Sequence, residues 1–412
     1  MRIVFFNRSY YPDMGATGQL LTELTQDLVR EHGCDVTVVC GPAPERSCPD
    51  IDSHQGVSLV RVKGTQFWRR GFFGRFANYV TYFLAAALAS LRLPRADIVV
   101  ALTDPPIIAL VAWATSKRMD ARFVFLCQDI FPEVANLLED FRSETINCVL
   151  QRVNCFVVKR ADRVIALGDA MKDRLVRGKD ADPAKISVIH NWADTVAISP
   201  APKDNAFSRE HGLNRKFVVM HSGNIGLSQN LDCWIEVASR LESQPDIVFL
   251  FVGDGVRREP LQADVARRGL NNVLFLPYQP REILSDSYAT ADVFIVSLKP
   301  GLAGYIEPSK LYGILAAGRP YIACVEPATE VAAIAREYDC GAVVAPGDFG
   351  GMVHEITRFH HDRERRERLG RNARRAGVRF DRRKQVRAYR ELFWGELVES
   401  RARPHAACEA RS

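Results

Sequence analysis

The sequence has no apolar run long enough to span a bilayer, no C-x-x-C pair and no large excess of one charge. Each absence removes a class of protein. Its 10 cysteines, among them Cys34, Cys40, Cys127, Cys148, Cys155 and Cys324, are not spaced for structural zinc or a redox pair. A disulfide framework is not expected in so long a chain without a secretory leader, so the thiols read as small buried hydrophobes in a reducing compartment. The opening MRIVFFNRSYYPD enters a strand directly and lacks the charged-then-apolar layout of a signal peptide. A cytoplasmic location is expected. A formal net charge of +6 is a mild bias over this length, and no nucleic-acid partner is expected. The basic residues are uneven, however, and crowd a helical stretch at 358–390.

What is present is the composition of a soluble globular enzyme, 47% hydrophobic and 25% charged. A chain of 412 residues exceeds one ordinary core, so two domains are expected. Short apolar runs at 3–6, 36–40, 98–102, 123–127 and 164–167 alternate with amphipathic stretches such as 17–31 and 144–159. Continuous apolar strands separated by helices predict a parallel sheet covered on both faces. The pattern breaks at 198–216, rich in Pro, Asp and Asn, and restarts with strands at 217–221, 248–252, 273–276, 293–297, 321–324 and 342–344. The expected division is 1–198 and 199–380, with a final helix at 381–400 returning toward the first domain and a frayed tail at 401–412.

In doubly wound sheets ligands bind beyond the carboxyl ends of the strands, which directs attention to the strand-to-helix loops. The first, NRSYYPDMGATG, places Gly15 and Gly18 at the start of a helix, where free N–H groups favour anions. An ordinary turn explains it equally well, and the G-x-G-x-x-G of a dehydrogenase is missing. The second domain opens with HSGNIGLSQNLD, carrying Gly223, Asn224 and Gln229, followed by FVGDGVRREPL with Gly253, Arg257 and Arg258. Two successive glycine loops, one with arginines, point to a shared phosphate site. The third loop, LKPGLAGYIEPSKLYGILAAGRP, puts Ser309 and Lys310 at a helix start behind Pro308.

The order SGNIG…Q, VGDG, FLPYQP and PSKLYGILAAGRP resembles glycosyltransferase family 4, and YYPDMGATG, FLCQDIFPE, ADRVIALG and VIHNWAD extend the likeness over nearly the whole chain. It is most similar to a bacterial subgroup that includes fucosaminyl- and fucosyltransferases of surface-polysaccharide assembly. The resemblance implies an α/β protein of GT-B fold, two facing Rossmann-like domains with a cleft between them. It implies transfer from a nucleoside-diphosphate sugar with retention at the anomeric carbon and a lipid-linked or other saccharide acceptor; no metal or other cofactor is expected, because cations and helix ends can hold the diphosphate. Gly15, Gly18, Gly223, Asn224, Gln229, Gly253, Arg258, Tyr278 of the FLPYQP loop, Ser309, Leu311 and Tyr312 are then expected on the donor. Lys310 and Arg257 are expected to stabilise the departing diphosphate. Asp129 is expected at the reacting hydroxyl, with Gln128, Glu133 and Asn191 on the acceptor; helix capping is an equal explanation for Asp129 and for the neighbourhood of Asn191.

The sequence departs from the family in three places. Asn224 and Gln229 stand where many members carry Arg and Lys. Tyr305 and Gly313 stand where many carry two glutamates, with Glu307 nearby but out of register. Gln128 stands where a histidine is often found. A sugar-nucleotide epimerase of the same fold, or transfer to a soluble acceptor, remains as an alternative. Residues 72–93 are the most apolar stretch, leaving about 13 uninterrupted residues against the roughly 20 that span a bilayer. Two readings stand open: a buried helix, or a helix lying on an anionic membrane with Phe72, Phe73, Phe76 and Tyr79 toward lipid and Arg69, Arg70 and Arg75 at headgroups.

Overall fold

A computed structural model describes residues 1–13, 15–42, 52–65, 72–138 and 143–409. The chain forms two compact units. The first is Met1–His190 together with the chain from Gln385 onward, and the second is Asn191–Lys384.

Among the described residues the first unit is built on β1 (Arg2–Phe6), β2 (Asp35–Cys40), β3 (Ser53–His54), β4 (Val57–Arg61), β5 (Ile98–Ala101), β6 (Arg122–Leu126), β7 (Arg163–Ala166) and β8 (Ile186–Val188). Their order is β3-β4-β2-β1-β5-β6-β7-β8, parallel except for the β3–β4 pair. The central strands are apolar on both faces because helices cover both: β5 is buried at all four positions. The strand order reverses between β1 and β5, so the crevice at their carboxyl ends is where this unit can hold a ligand.

The second unit repeats the plan with β9 (Phe217–Ser222), β10 (Ile247–Val252), β11 (Val273–Leu276), β12 (Val293–Ser297), β13 (Tyr321–Cys324) and β14 (Gly341–Val344). The order is β11-β10-β9-β12-β13-β14, all parallel, with its reversal between β9 and β12. Strands β3, β4 and β8 were absent from the sequence reading: β4 alternates exposed and buried residues beside the sheet edge, and β8 is only three residues long. The stretch expected to be a plain linker holds a short helix, Ala206–Glu210, fixed by a reciprocal capping box between Asn205 and Ser208.

The last helix runs Arg382–Glu409, beyond the point where fraying was expected. Phe393 packs edge-on against Phe5 of β1, and Glu396 is 4% exposed between Arg122 and Arg163. This carboxylate is the close partner of Arg163 and adds to Asp162, which holds Arg122 at 2.8 Å, so removing it takes a buried counter-charge from a small network. Glu396→Ala is expected to lower the stability of the first unit by about 3 kcal/mol, read as a shift in denaturant midpoint; an unchanged midpoint would show that this helix does not anchor there.

Candidate functional site

In the second unit the two glycine loops are one surface. Gly223 follows β9 and Gly253 follows β10, and both have positive φ, +123° and +141°. A Cβ on Gly253 would stand 2.0 Å from the Gly223 carbonyl oxygen, and one on Gly255 would stand 2.4 Å from that of Ile225. Only glycine allows these backbones to touch. The Ile225 N–H donates to Asp254 O at 2.9 Å, locking the loops together.

Lys310 enters this surface from the third loop, at the reversal point of the strand order. Its ammonium donates to Gln229 Oε1 at 2.8 Å and lies 3.2 Å from His221 Nε2, and its Nζ is 3.7 Å from where a Cβ on Gly223 would sit. No ion pair with a carboxylate is made by Lys310 among the described residues. Burial pushes its pKa down to about 7. His221 is fully buried and is held neutral, first by burial and then by the Lys310 charge. Its Nε2 is also 3.2 Å from Asn224 O, so the ring tautomer decides which of the two contacts is a hydrogen bond. An uncompensated ammonium beside glycine backbone is a site prepared for an anion. The helix behind it, Lys310–Ala316, has seven residues, so the side chain rather than the helix dipole supplies the charge.

The remaining expected donor residues divide. Arg257 is half-buried and ion-paired to Asp232, which occupies its guanidinium. The Arg258 side chain makes no hydrogen bond or ion pair among the described residues, and its Nε is buried without a partner. Tyr278 is 44% exposed beside Asp254 of the second glycine loop, an aromatic face open to a base. Ser309 caps the Lys310 helix by position only, without a side-chain cap bond. Leu311 and Tyr312 are turned into the core and are not brought to this surface by their side chains. Gly313 explains one departure from the family: a Cβ there would stand 3.0 Å from the Tyr288 hydroxyl, so that ring fills the space a glutamate would need. Glu307 is buried with Oε1 unpartnered, and burial together with the Glu330 carboxylate drives its pKa well above the usual range.

In the first unit the carboxyl ends of β1, β5 and β6 bring together residues from three loops. Arg8 Nε donates to Asp104 Oδ1 at 3.2 Å, Ser9 Oγ donates to Asp104 Oδ2 at 2.7 Å, and Arg8 lies over the Tyr79 ring. Asp129 has its pKa raised to about 7, mainly by burial and then by the Asp104 charge. Gln128 is buried next to it. Sequence reading missed Arg8 and Asp104. The signal for them was position: each sits within a few residues of the end of a central strand.

Two expected residues, Glu133 and Gly15, are occupied otherwise. Glu133 accepts from the buried Lys179 ammonium through both oxygens, at 2.9 and 2.8 Å, and is a structural ion-pair partner. The N–H of Gly15 donates to Asp13 Oδ1 at 2.9 Å, so the protein's own carboxylate fills the start of the Ala16–Arg30 helix; Gly18 is buried in its first turn. Asn191, first residue of the second unit, is buried with its side-chain oxygen unpartnered. Of the expected lipid-facing aromatics, Tyr79 faces Arg8 instead, the side chains of Phe72, Phe73, Arg75 and Phe76 are not described, and Arg69 and Arg70 lie outside the described residues.

Among the described residues no group of three or more His, Cys, Asp or Glu side chains is placed to hold a metal. The tripeptide Asp180-Ala181-Asp182 has the D-x-D form, but Asp180 pairs with Lys159 and Asp182 caps the turn at Pro183–Lys185. A second, at 50–52, is only partly described.

The comparisons fit this geometry. Residues 15–192 match the Glycosyl transferase 4-like domain, and residues 203–376 match Glycosyl transferases group 1. The chain is 25% identical over 342 residues to the probable glycosyltransferase WbjE of Pseudomonas aeruginosa, covering 82% of this chain and 84% of that one. It is 29% identical over 199 residues to the putative colanic acid biosynthesis glycosyl transferase WcaI of Escherichia coli, covering 47% and 48%. Among solved structures, Anabaena HepE in complex with UDP and glucose superposes with a TM-score of 0.73 at 18% identity, covering 96% of this chain and all of that one. Sucrose-phosphate synthase of Thermosynechococcus elongatus gives 0.77 at 16% identity, with 96% and 100% covered. The fold is therefore GT-B, and the chain is a glycosyltransferase composed of a glycosyl transferase 4-like domain followed by a group 1 domain.

Proposed function

We propose that this enzyme transfers a sugar from a nucleoside-diphosphate donor, with retention, to a lipid-linked saccharide of cell-surface polysaccharide assembly. The observation that carries the donor half is Lys310: a half-buried ammonium that makes no ion pair with a carboxylate among the described residues, set among glycine backbone at the strand-order reversal of the second unit. It stands against Gln229, so a lysine from the third loop supplies the charge that many family members place at that position. Breaking the bond from the anomeric carbon to the diphosphate builds negative charge on the leaving oxygen, and a fixed cation there lowers the barrier by several kcal/mol. Arg258, with donors uncommitted, is the second cation in this reading, and Tyr278 stacks on the base. No metal is required where two cations do this work. Asp129, with a pKa near neutrality, takes the proton of the attacking acceptor hydroxyl. HepE with bound UDP makes UDP-sugars the first donors to try, and the name of WcaI supports a polysaccharide product.

The acceptor half rests on the helix Phe72–Ser90. Leu84 and Leu88 on it, and Leu91 just beyond, are 56%, 68% and 63% exposed at helical spacing, with Arg92 and Arg95 exposed next to them. None of the described helices is long and apolar enough to cross a membrane. An exposed leucine stripe flanked by arginines suits attachment to an anionic surface, here the inner face of the cell membrane. The test is transfer of labelled sugar from a panel of nucleoside-diphosphate sugars to polyprenyl-diphosphate saccharides. Label is expected in the organic phase with release of nucleoside diphosphate in the presence of chelator. Label found only in a water-soluble acceptor, or transfer that stops with chelator and resumes with magnesium, would contradict the proposal.

A further inference from the structure

At the opposite end of the second unit's sheet lies a cavity of about 690 Å³, a volume typical of small-molecule sites. It is bounded by the amino ends of β12 and β13, at Asp292 and Pro320, by the chain at 200–203, and by the helix Arg363–Arg379. Seven arginine and lysine side chains line it, against the two carboxylates of Asp292 and Glu367. That local surplus nearly equals the formal +6 of the whole chain. The donor loops leave the carboxyl ends of β9, β10 and β12, at the other end of the sheet, so this is a separate place.

The cations are not consumed by the two acids. Asp292 is shared by Lys203 and Arg366, and Glu367 pairs with Arg363. Arg371 and Arg375 are exposed one helical turn apart; neither guanidinium makes a hydrogen bond or close ion pair among the described residues, and Arg371 acts on Glu367 only through its charge. Arg319 donates from Nη2 to the carbonyls of Ala201 and Ala289, at 2.9 and 2.7 Å, and its Nε is buried without a partner. Arg374 donates to the carbonyls of Thr195, Ile198 and Ala316. These two guanidinium groups are thereby fixed in place with donors left over. Cations held close together without enough counter-charge repel one another, and a multiply charged anion relieves both the repulsion and the unsatisfied donors.

We propose that this cavity binds a soluble small molecule bearing two or more phosphate charges, independently of the donor site. Arg371 and Arg375 meet the ligand from the helix, and Arg319 and Arg374 hold it from the cavity floor.

The test is calorimetric titration of the full chain with inorganic tripolyphosphate, a probe that both anion sites can take. Wild type is expected to show two sites. Arg371→Glu/Arg375→Glu, at exposed positions that carry no packing, is expected to weaken one of them by ~10-fold or more. Lys310→Ala is expected to remove the other, and the control Arg383→Glu/Arg387→Glu, exposed on the final helix, is expected to keep both. Unchanged binding in Arg371→Glu/Arg375→Glu, or an equal loss in the control, would overturn this site. Two intact sites in Lys310→Ala would instead count against the donor reading and leave this one standing. In flotation with phosphatidylglycerol vesicles, Arg371→Glu/Arg375→Glu is expected to behave as wild type; loss of flotation with tripolyphosphate binding intact would put a membrane rather than a small molecule on this face.

Discussion

Lys310→Ala is expected to lower turnover by ~10²-fold or more while leaving the fold intact, because the lost cation acts on charge that develops only as the diphosphate departs. Removing a half-buried ammonium that lacks a carboxylate also relieves a desolvation penalty, so the variant is expected to be at least as stable as wild type near pH 7. Lys310→Arg is a useful companion. It keeps a charge that does not titrate, but the guanidinium does not fit the space between Gln229, His221 and Gly223, so intermediate activity is expected. A folded Lys310→Ala enzyme with near-normal turnover would remove Lys310 from the chemistry.

Gly253→Ala should be the most damaging single methyl group in the second unit. The φ of +141° is strained for any L side chain, and the new Cβ would overlap the Gly223 carbonyl oxygen at 2.0 Å, so one of the two loops must move. A loss of about 3 kcal/mol or more is expected from strain and overlap together. Donor binding should fall at the same time, because Gly223 is the residue against which Lys310 is placed. Gly269→Ala provides the contrast: its φ is +69°, with nothing within 4 Å of the added atom. That change should cost only about 1 kcal/mol and leave donor affinity unaltered. Similar midpoints for the two variants in denaturant would mean that the glycine loops yield more easily than their contacts imply.

The central strands were legible because burial on both faces leaves an unmistakable trace: β12 and β13 begin and end where the apolar runs at 293–297 and 321–324 do. Near the edges of the first unit's sheet that trace is lost, although the edge strand β11 kept its apolar run at 273–276. Val57–Arg61 carries an exposed Ser58 between buried neighbours, and Ile186–Val188 is too short to stand out. In the site, Lys310 was legible because a lysine behind a proline-started turn is unusual on a sheet-packed helix. Partners distant in sequence were not. Asp104 reaches Arg8 only because β1 and β5 are adjacent, and Glu133 is engaged by a lysine 46 residues away. Arg257 and Arg258 are neighbours of identical chemistry, and only the fold shows that Asp232 claims the first. Tyr288 against Gly313 is a further case: the sequence shows the missing glutamate, and the structure shows what stands in its place.

The central claim is that Lys310 waits as a cation site for the donor diphosphate, and proton uptake on binding measures it most directly. The free enzyme holds this amine with a pKa of about 7, depressed by burial, so at pH 8 it is mostly neutral. A bound diphosphate favours the charged form and raises the pKa, so the enzyme must take up a proton as it binds. Titrating UDP at pH 8 in buffers of different ionisation enthalpy is expected to show uptake approaching about one proton per site. Uptake should shrink toward pH 6, where the amine is already protonated, and vanish in Lys310→Arg. Binding without proton uptake at pH 8, or the same uptake in Lys310→Arg, would contradict the account.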